Sequence, residues 1–67
     1  MIDWHQAWHR TYVAAEWLRN NDIARYNETG VMDWPELRRH TRIAAFAHRR
    51  ELVAQMRTLR REAGRAA

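Results

Sequence analysis

Arginine pairs recur at a fixed interval in the second half of this 67-residue chain, within the stretch LRRHTRIAAFAHRRELVAQMRTLRRE. Each Arg-Arg pair follows the previous one after eleven residues, at positions 38–39, 49–50 and 60–61. A guanidinium group presents a planar set of donors that fits carboxylate and phosphate oxygens, so this pattern indicates anion recognition. The residues that we predict to bind a partner protein or a nucleic acid are Arg38, Arg39, Arg42, Phe46, Arg49, Arg50, Val53, Arg57, Arg60, Arg61 and Trp17.

Two histidines near the start of the chain have a spacing that suits a metal ion. In HQAWH, His5 and His9 lie one helical turn apart, which is the spacing with which two imidazoles bind one ion. The segment resembles the zinc-protease pattern H-E-x-x-H, but Gln6 stands at the position of the general-base glutamate. His40 and His48 could complete a site across a hairpin, yet nothing in the sequence requires it. We therefore expect histidines on a polar helix face, and we predict no metal site and no cofactor.

The sequence lacks the residue combinations on which enzymes depend. It has no nucleophile spaced with a base, no glycine-rich phosphate loop and no carboxylate pair that a cleft could hold. A chain of 67 residues also has little material with which to build a ligand pocket. We predict a protein without enzymatic activity and without a small-molecule substrate, whose function resides in its surfaces.

Charge is distributed unevenly along the chain. Residues 1–33 contain three arginines and five acidic residues, whereas residues 34–67 contain nine arginines and three glutamates. The halves therefore carry net charges of −2 and +6, which agree with the total of +4. This asymmetry indicates that the second half meets something anionic, be it nucleic acid, an acidic protein or the acidic first half. The basic residues are all arginine and eleven residues are alanine, a composition common in compact proteins of phages and mobile elements.

A chain this short forms one domain with a narrow margin of stability, because it buries only about 60% of the surface that its unfolded form exposes. The chain has no cysteine, so disulfides cannot add support, and self-association is one of the remaining ways to gain it. A cysteine-free composition fits a reducing cytoplasm, which is the predicted location. No segment approaches the roughly 20 apolar residues of a membrane span, so we do not expect a membrane partner.

Capping patterns indicate where two helices begin and where the first one ends. Asp3 followed by Gln6 predicts the start of helix one, and Asp33 followed by Glu36 predicts the start of helix two. Gly30 suits a left-handed cap at the end of helix one.

These signals predict a single helical domain over residues 1–67. Its predicted parts are helix one at about 3–28, a turn at 29–33, and helix two at about 34–63. Gly64 is the predicted end of helix two. A break of helix one at residues 20–22 is an open alternative, because Asn20, Asn21 and Asp22 are poor helix formers.

Helix two has an apolar repeat of eleven residues, which is also the period of the arginine pairs. The members of this predicted seam are Trp34, Leu37, Thr41, Ala45, His48, Leu52, Met56, Leu59 and Ala63. The matching stripe on helix one comprises Trp4, Ala7, Trp8, Thr11, Ala15, Leu18 and Tyr26. We predict that the two stripes pack together, with Trp4, Trp8 and Trp34 in the core and His48 setting the register. A charge placed in this seam by Leu52→Asp is expected to abolish the fold.

The predicted fold is all-α, an antiparallel hairpin of two long helices. Each helix also carries a second apolar strip, with Ile43, Phe46 and Val53 on helix two, and Val13 and Trp17 on helix one. A homodimer that forms a four-helix bundle is the simplest use of both strips. Trp17 is the first candidate for an interface anchor, because tryptophan and arginine are favoured where proteins meet.

Two functional hypotheses follow from these surfaces. The first is a small interaction protein, an adaptor or inhibitor, that docks on an acidic partner protein through Trp17 and the face that contains Phe46 and the arginines. The alternative is a helical dimer that binds DNA or RNA without sequence specificity, since no groove-reading motif is recognisable. The two differ in salt dependence, because binding to phosphates weakens steeply as salt is raised.

Overall fold

The computed structural model describes residues 2–66, which form two helices joined by a short turn. Helix α1 spans Trp4–Thr29 and helix α2 spans Trp34–Ala66, and the described residues contain no strand. Side-chain hydrogen bonds join residue 22 to residue 40 and residue 9 to residue 51, so the helices run antiparallel as a hairpin. The hairpin is a rod with extents of 57 × 16 × 16 Å.

The helix starts and the turn use the capping residues that the sequence predicts. The Asp3 carboxylate accepts a hydrogen bond from the backbone N–H of Gln6 at 3.2 Å, and Asp33 accepts one from Glu36 at 3.1 Å. Gly30 closes α1 with a φ of 73°, in the left-handed region where a side chain would be strained. Both predicted N-caps and the glycine cap are therefore confirmed, while the reciprocal side-chain bonds of a full capping box are not among the hydrogen bonds of the described residues.

Both helices continue through residues that are weak helix formers. α1 is unbroken through Asn20, Asn21 and Asp22, so the alternative with a break at this point does not occur. Asp22 is buried against α2, and this tertiary contact outweighs its low intrinsic preference for helix. α2 continues past Gly64, its predicted end, because glycine costs only about 1 kcal/mol in a helix and good helix formers flank it.

The helices meet along a seam of small and polar side chains. The buried residues of this seam are Ala15 and Asp22 on α1, and His40, Ala44, Ala47 and Glu51 on α2. The pairs 15 and 22, 40 and 47, and 44 and 51 are each seven residues apart, which is the heptad period of paired helices. Among the described residues no large side chain is fully buried, so alanine packing and cross-helix polar pairs hold the hairpin together.

The predicted seam of α2 is wrong by one residue position. Each of the four buried residues directly precedes a member of the predicted stripe, and one position turns a helix face by about 100°. The predicted members that are exposed instead are Trp34, Thr41, Ala45, His48, Leu52, Met56, Leu59 and Ala63, while Leu37 is half-buried. The physical reason is side-chain size, because the spacing of two packed helices depends on the residues at the contact and alanine permits a close approach.

The predicted stripe of α1 is correct only in part. Ala15 is buried and Ala7 and Trp8 are half-buried, whereas the members Trp4, Thr11, Leu18 and Tyr26 are exposed. The predicted tryptophan core is wrong, because Trp4 and Trp34 are both mostly exposed. Large aromatic side chains therefore line the outside of this hairpin.

His48 does not set the register of the seam, contrary to the prediction. Its side chain is half-exposed at the edge of the helix pair, where its ring lies 4.7 Å from the ring of Tyr12. Leu52 is 44% exposed, so an aspartate at this position would reach water. The premise of the expectation that Leu52→Asp abolishes the fold, a buried Leu52, is therefore wrong, because it rested on the wrong helix face.

Ala47→Leu tests the position of the true seam. Ala47 has no exposed surface, so three further carbon atoms must push the helices apart or force strained rotamers. We expect a loss of about 1–3 kcal/mol in the free energy of unfolding, measured by urea denaturation that is monitored by circular dichroism. Ala45→Leu, two residues away on the exposed side, is the matched control and should change the free energy of unfolding little. Equal losses in the two variants would contradict the assigned seam.

Candidate functional site

The arginines of α2 form an exposed and largely uncompensated positive surface. Among residues 2–66, Arg39 is the one arginine of α2 with a carboxylate within 4.0 Å, that of Glu36. On α1, Arg19 lies 3.6 Å from Glu16. All eleven predicted binding residues are exposed, including Trp17. The acidic first half of the chain therefore leaves most of the charge on α2 available to an outside partner.

An aromatic platform lies within this positive surface. The ring of Phe46 packs edge-to-face against that of Trp8, with centroids 5.6 Å apart and planes at 77°. The guanidinium carbon of Arg50 lies 5.1 Å from the centroid of the Phe46 ring, which is a cation–π distance. Phe46 is nevertheless 50% exposed. The platform thus joins the two helices and keeps one aromatic face in contact with solvent.

A groove of about 960 Å³ adjoins this platform at the end of the hairpin away from the turn. We call it the open-end groove. It lies between the start of α1 and the second half of α2, and its principal lining residues are Trp4, Trp8, Arg50, Val53, Arg57, Leu59 and Arg61. Its lining combines large apolar side chains with three arginines and two acidic residues, Asp3 and Glu62. This combination suits an anionic partner that also carries apolar side chains.

The structure brings together only part of the predicted binding set. Arg50, Val53, Arg57 and Arg61 line the open-end groove, and Phe46 adjoins it through Arg50. The predicted residues that lie elsewhere along the exposed surface are Arg38, Arg39, Arg42, Arg49, Arg60 and Trp17. The sequence did not predict the groove, because the groove requires Trp4 and Leu59 to be exposed, whereas both were predicted to lie in the core.

Trp17 belongs to a different surface from Phe46. It lies two positions beyond the buried Ala15, which places it on the outer side of α1. There Trp17 and Leu18 line a shallow apolar concavity of about 680 Å³ together with Val13. No lining residue is shared with the open-end groove. A partner that contacts both tryptophan surfaces would have to wrap around the hairpin.

Large apolar side chains also follow one flank of α2. The members of the predicted seam that lie exposed at this flank, Leu52, Met56 and Leu59, form what we call the lateral stripe. They lie about 100° around α2 from the alanine seam. A stripe of this length on a hairpin with a thin core indicates a second layer of packing.

The sequence did not predict the polar residues of the seam; His48, the polar residue predicted to set its register, is exposed instead. Asp22 Oδ2 lies 2.6 Å from His40 Nδ1, and the Glu51 carboxylate lies 3.0 Å from His9 Nδ1. Each acidic residue thus meets a histidine from the other helix. Small and polar residues that alternate at spacings of three and four were the sequence pattern that marks this seam. A search for apolar periodicity gives this pattern less weight than a stripe of leucines.

The His5–His9 pair is not assembled as a metal site. The two rings are stacked with centroids 6.4 Å apart, and His9 Nδ1 is engaged by Glu51. Within residues 2–66, the one group of three side chains whose ligand atoms lie within 4.8 Å of one another is Asp22, Glu36 and His40.

Neither helix among the described residues combines the length and apolarity that a bilayer span requires. Comparison of the chain with protein-family models, with curated proteins and with solved structures finds no match.

Proposed function

We propose that this chain is a small non-enzymatic interaction protein, an adaptor or inhibitor, that docks on an acidic partner protein. The contact centre is the open-end groove together with the Phe46 platform, and the remaining arginines of α2 extend it along the rod. A single observation carries the proposal: guanidinium groups without carboxylate partners border a groove whose floor is apolar and aromatic. A cytoplasmic location belongs to the same proposal.

The composition of the groove matches the centre of a protein interface. Interface centres are enriched in tryptophan, phenylalanine and arginine, and they are depleted in the other charged residues. Trp4, Trp8 and Phe46 supply large rigid contact areas, and Arg50, Arg57 and Arg61 supply charge. The partner segment that fits is acidic and carries one or two aromatic or aliphatic side chains, so that the apolar side chains enter the groove while its carboxylates meet the arginines.

The second candidate function, binding to DNA or RNA, has one observation in its favour. Arg38, Arg42 and Arg49 lie on the exposed surface of α2 outside the groove, without carboxylates within 4.0 Å. A row of such charges can neutralise phosphates without reading bases. The apolar floor of the groove favours the protein partner, because nucleic-acid interfaces are more polar than protein interfaces.

Two copies of the chain form the active unit in this proposal. The hairpin has fourteen exposed large apolar side chains and no large side chain that is fully buried among the described residues. The lateral stripes of two hairpins can pack against each other and complete a four-helix bundle. Leu59 belongs to both the lateral stripe and the open-end groove, so the dimer contact lies next to the docking surface.

Phe46→Asp tests the docking surface. The substitution places a carboxylate at a half-exposed position, so we expect helicity to be retained while an acidic partner is repelled. Capture from an isotope-labelled lysate of the native host, with the wild-type chain as bait, should recover acidic proteins. With the variant as bait we expect their yield to fall, and we expect their affinity to fall at least about tenfold, which is about 1.4 kcal/mol in binding free energy. Each captured protein is then purified and its affinity measured directly by titration.

Val31→Asp is the control for this experiment, because it adds the same charge at an exposed apolar residue in the turn, at the far end of the rod. The control should capture the same acidic proteins as the wild-type chain. Equal affinity of the purified partner for Phe46→Asp and the wild-type chain would contradict docking at this platform.

Fluorescence anisotropy with labelled duplex DNA separates the two candidate functions. A protein-docking role predicts weak binding at low salt that is lost near physiological salt, because few phosphates are held at once. Binding that is micromolar or tighter at physiological salt, and that weakens steeply as salt rises, would favour the nucleic-acid function instead. Poly-glutamate, added at the same charge concentration as the DNA, shows whether any polyanion displaces the labelled DNA from the chain.

Leu52→Asp tests the dimer. We expect sedimentation equilibrium to give twice the chain mass of 8.1 kDa for the wild type and the mass of one chain for the variant. Circular dichroism should still show helix, because Leu52 lies outside the alanine seam. Asn27→Asp, which adds the same charge at an exposed residue of α1, should remain dimeric. A wild-type chain that is monomeric at all concentrations would refute this part of the proposal.

A further inference from the structure

A buried polar cluster joins the two helices at the turn end of the hairpin. Asp22 Oδ2 lies 2.6 Å from His40 Nδ1, and Glu36 Oε2 lies 3.4 Å from His40 Nε2. The side chains of Asp22 and His40 are only 4% and 9% exposed. An imidazole is therefore held between two carboxylates, in a part of the seam where water is largely excluded.

The arrangement calls for a positive charge at His40 Nε2. A neutral imidazole has one N–H, and the short contact with Asp22 assigns that hydrogen to Nδ1. Nε2 is then an acceptor that lies 3.4 Å from an oxygen of Glu36, and two acceptors at this separation can share a cation. The cation can be a proton on Nε2 or a metal ion.

The distances suit a metal ion. Two ligand atoms that are each about 2.1 Å from a tetrahedral ion lie about 3.4 Å apart, which is the separation observed between Nε2 and the Glu36 oxygen. A carboxylate hydrogen-bonded to the other ring nitrogen is the usual support of a metal-bound histidine, because it fixes the tautomer and the ring orientation. Asp22 occupies that position.

We propose that His40 Nε2 and Glu36 bind a divalent transition-metal cation of the zinc class, with Asp22 orienting the imidazole. Glu36 is about one-third exposed, which gives the ion a path from solvent and leaves room for water at the other coordination positions. The mixture of imidazole and carboxylate ligands suits zinc, cobalt or nickel rather than calcium or magnesium, which prefer oxygen alone. Arg39 contacts the other oxygen of Glu36, Oε1, and so leaves Oε2 to the ion.

This site is separate from the proposed docking surface. None of its three residues lines the open-end groove, and it adjoins the turn whereas the groove lies at the opposite end of the rod. A bound ion would link α1 to α2 next to the turn. Loss of metal binding and loss of partner docking can therefore be measured independently.

The experiment uses the full chain, treated with a chelator and then titrated with Zn²⁺ by calorimetry. We expect one Zn²⁺ per chain, an increase in melting temperature, and a change in the imidazole nitrogen signals of His40 measured by NMR. The same titration with Mg²⁺ should give none of these effects. The NMR signals identify the bound histidine in the wild-type chain, so the result does not depend on the folding of a variant.

Two substitutions separate the ligand from its support. Glu36→Gln removes a ligand at a partly exposed position and should abolish the one-site binding, while the helical content remains. Asp22→Asn keeps a hydrogen-bond acceptor for Nδ1–H but removes its charge, so it should weaken Zn²⁺ affinity by about 10–100-fold. Glu16→Gln, a change of the same kind outside both the cluster and the open-end groove, is the control and should bind as the wild type does.

Two results would overturn the proposal. One is the absence of any Zn²⁺-dependent change in the His40 signals at submillimolar metal, which would leave a proton as the cation at Nε2. The other is binding that persists in Glu36→Gln and disappears in His5→Gln, which would assign the ion to the His5–His9 pair.

Discussion

The close contact between two alanine-lined helix faces is the constraint on which the rest of this structure depends. Ala15 on α1, and Ala44 and Ala47 on α2, remove side-chain bulk from the seam, so the helix backbones can approach. At that distance short polar side chains reach across, which is how Asp22 meets His40 and Glu51 meets His9. The same contact leaves little room for large apolar residues, and these are displaced to the surface.

The sequence predicted the two helices, their caps and the turn, because capping side chains and glycine act locally and their geometry is set within a few residues. The seam could not be found in this way. A search for apolar periodicity gives weight to Leu52, Met56 and Leu59, whereas the true seam consists of alanines and histidine–carboxylate pairs. In a search for apolar periodicity, an ionisable residue makes its helix face look solvent-exposed. Only the structure shows that a partner on the other helix pairs with it. The exposure of the predicted arginines was foreseen, but the groove near Phe46 was not, because it arises from how α1 and α2 end relative to each other.

Two periods coexist on α2 and serve different surfaces. The buried seam residues include pairs seven residues apart and face α1, whereas the arginine pairs repeat every eleven residues and face outward. Because seven residues fall slightly short of two turns and eleven slightly exceed three, the two patterns drift around the helix in opposite directions.

The unequal lengths of the helices have a mechanical consequence. α2 has 33 residues and α1 has 26, so seven residues, or about 10 Å of helix, project beyond the last turn that α1 can support. This overhang carries arginines, and it continues a helix whose nucleation cost the paired part of α2 has already met. A molecule that binds the overhang therefore meets guanidinium groups on a helix that is already formed.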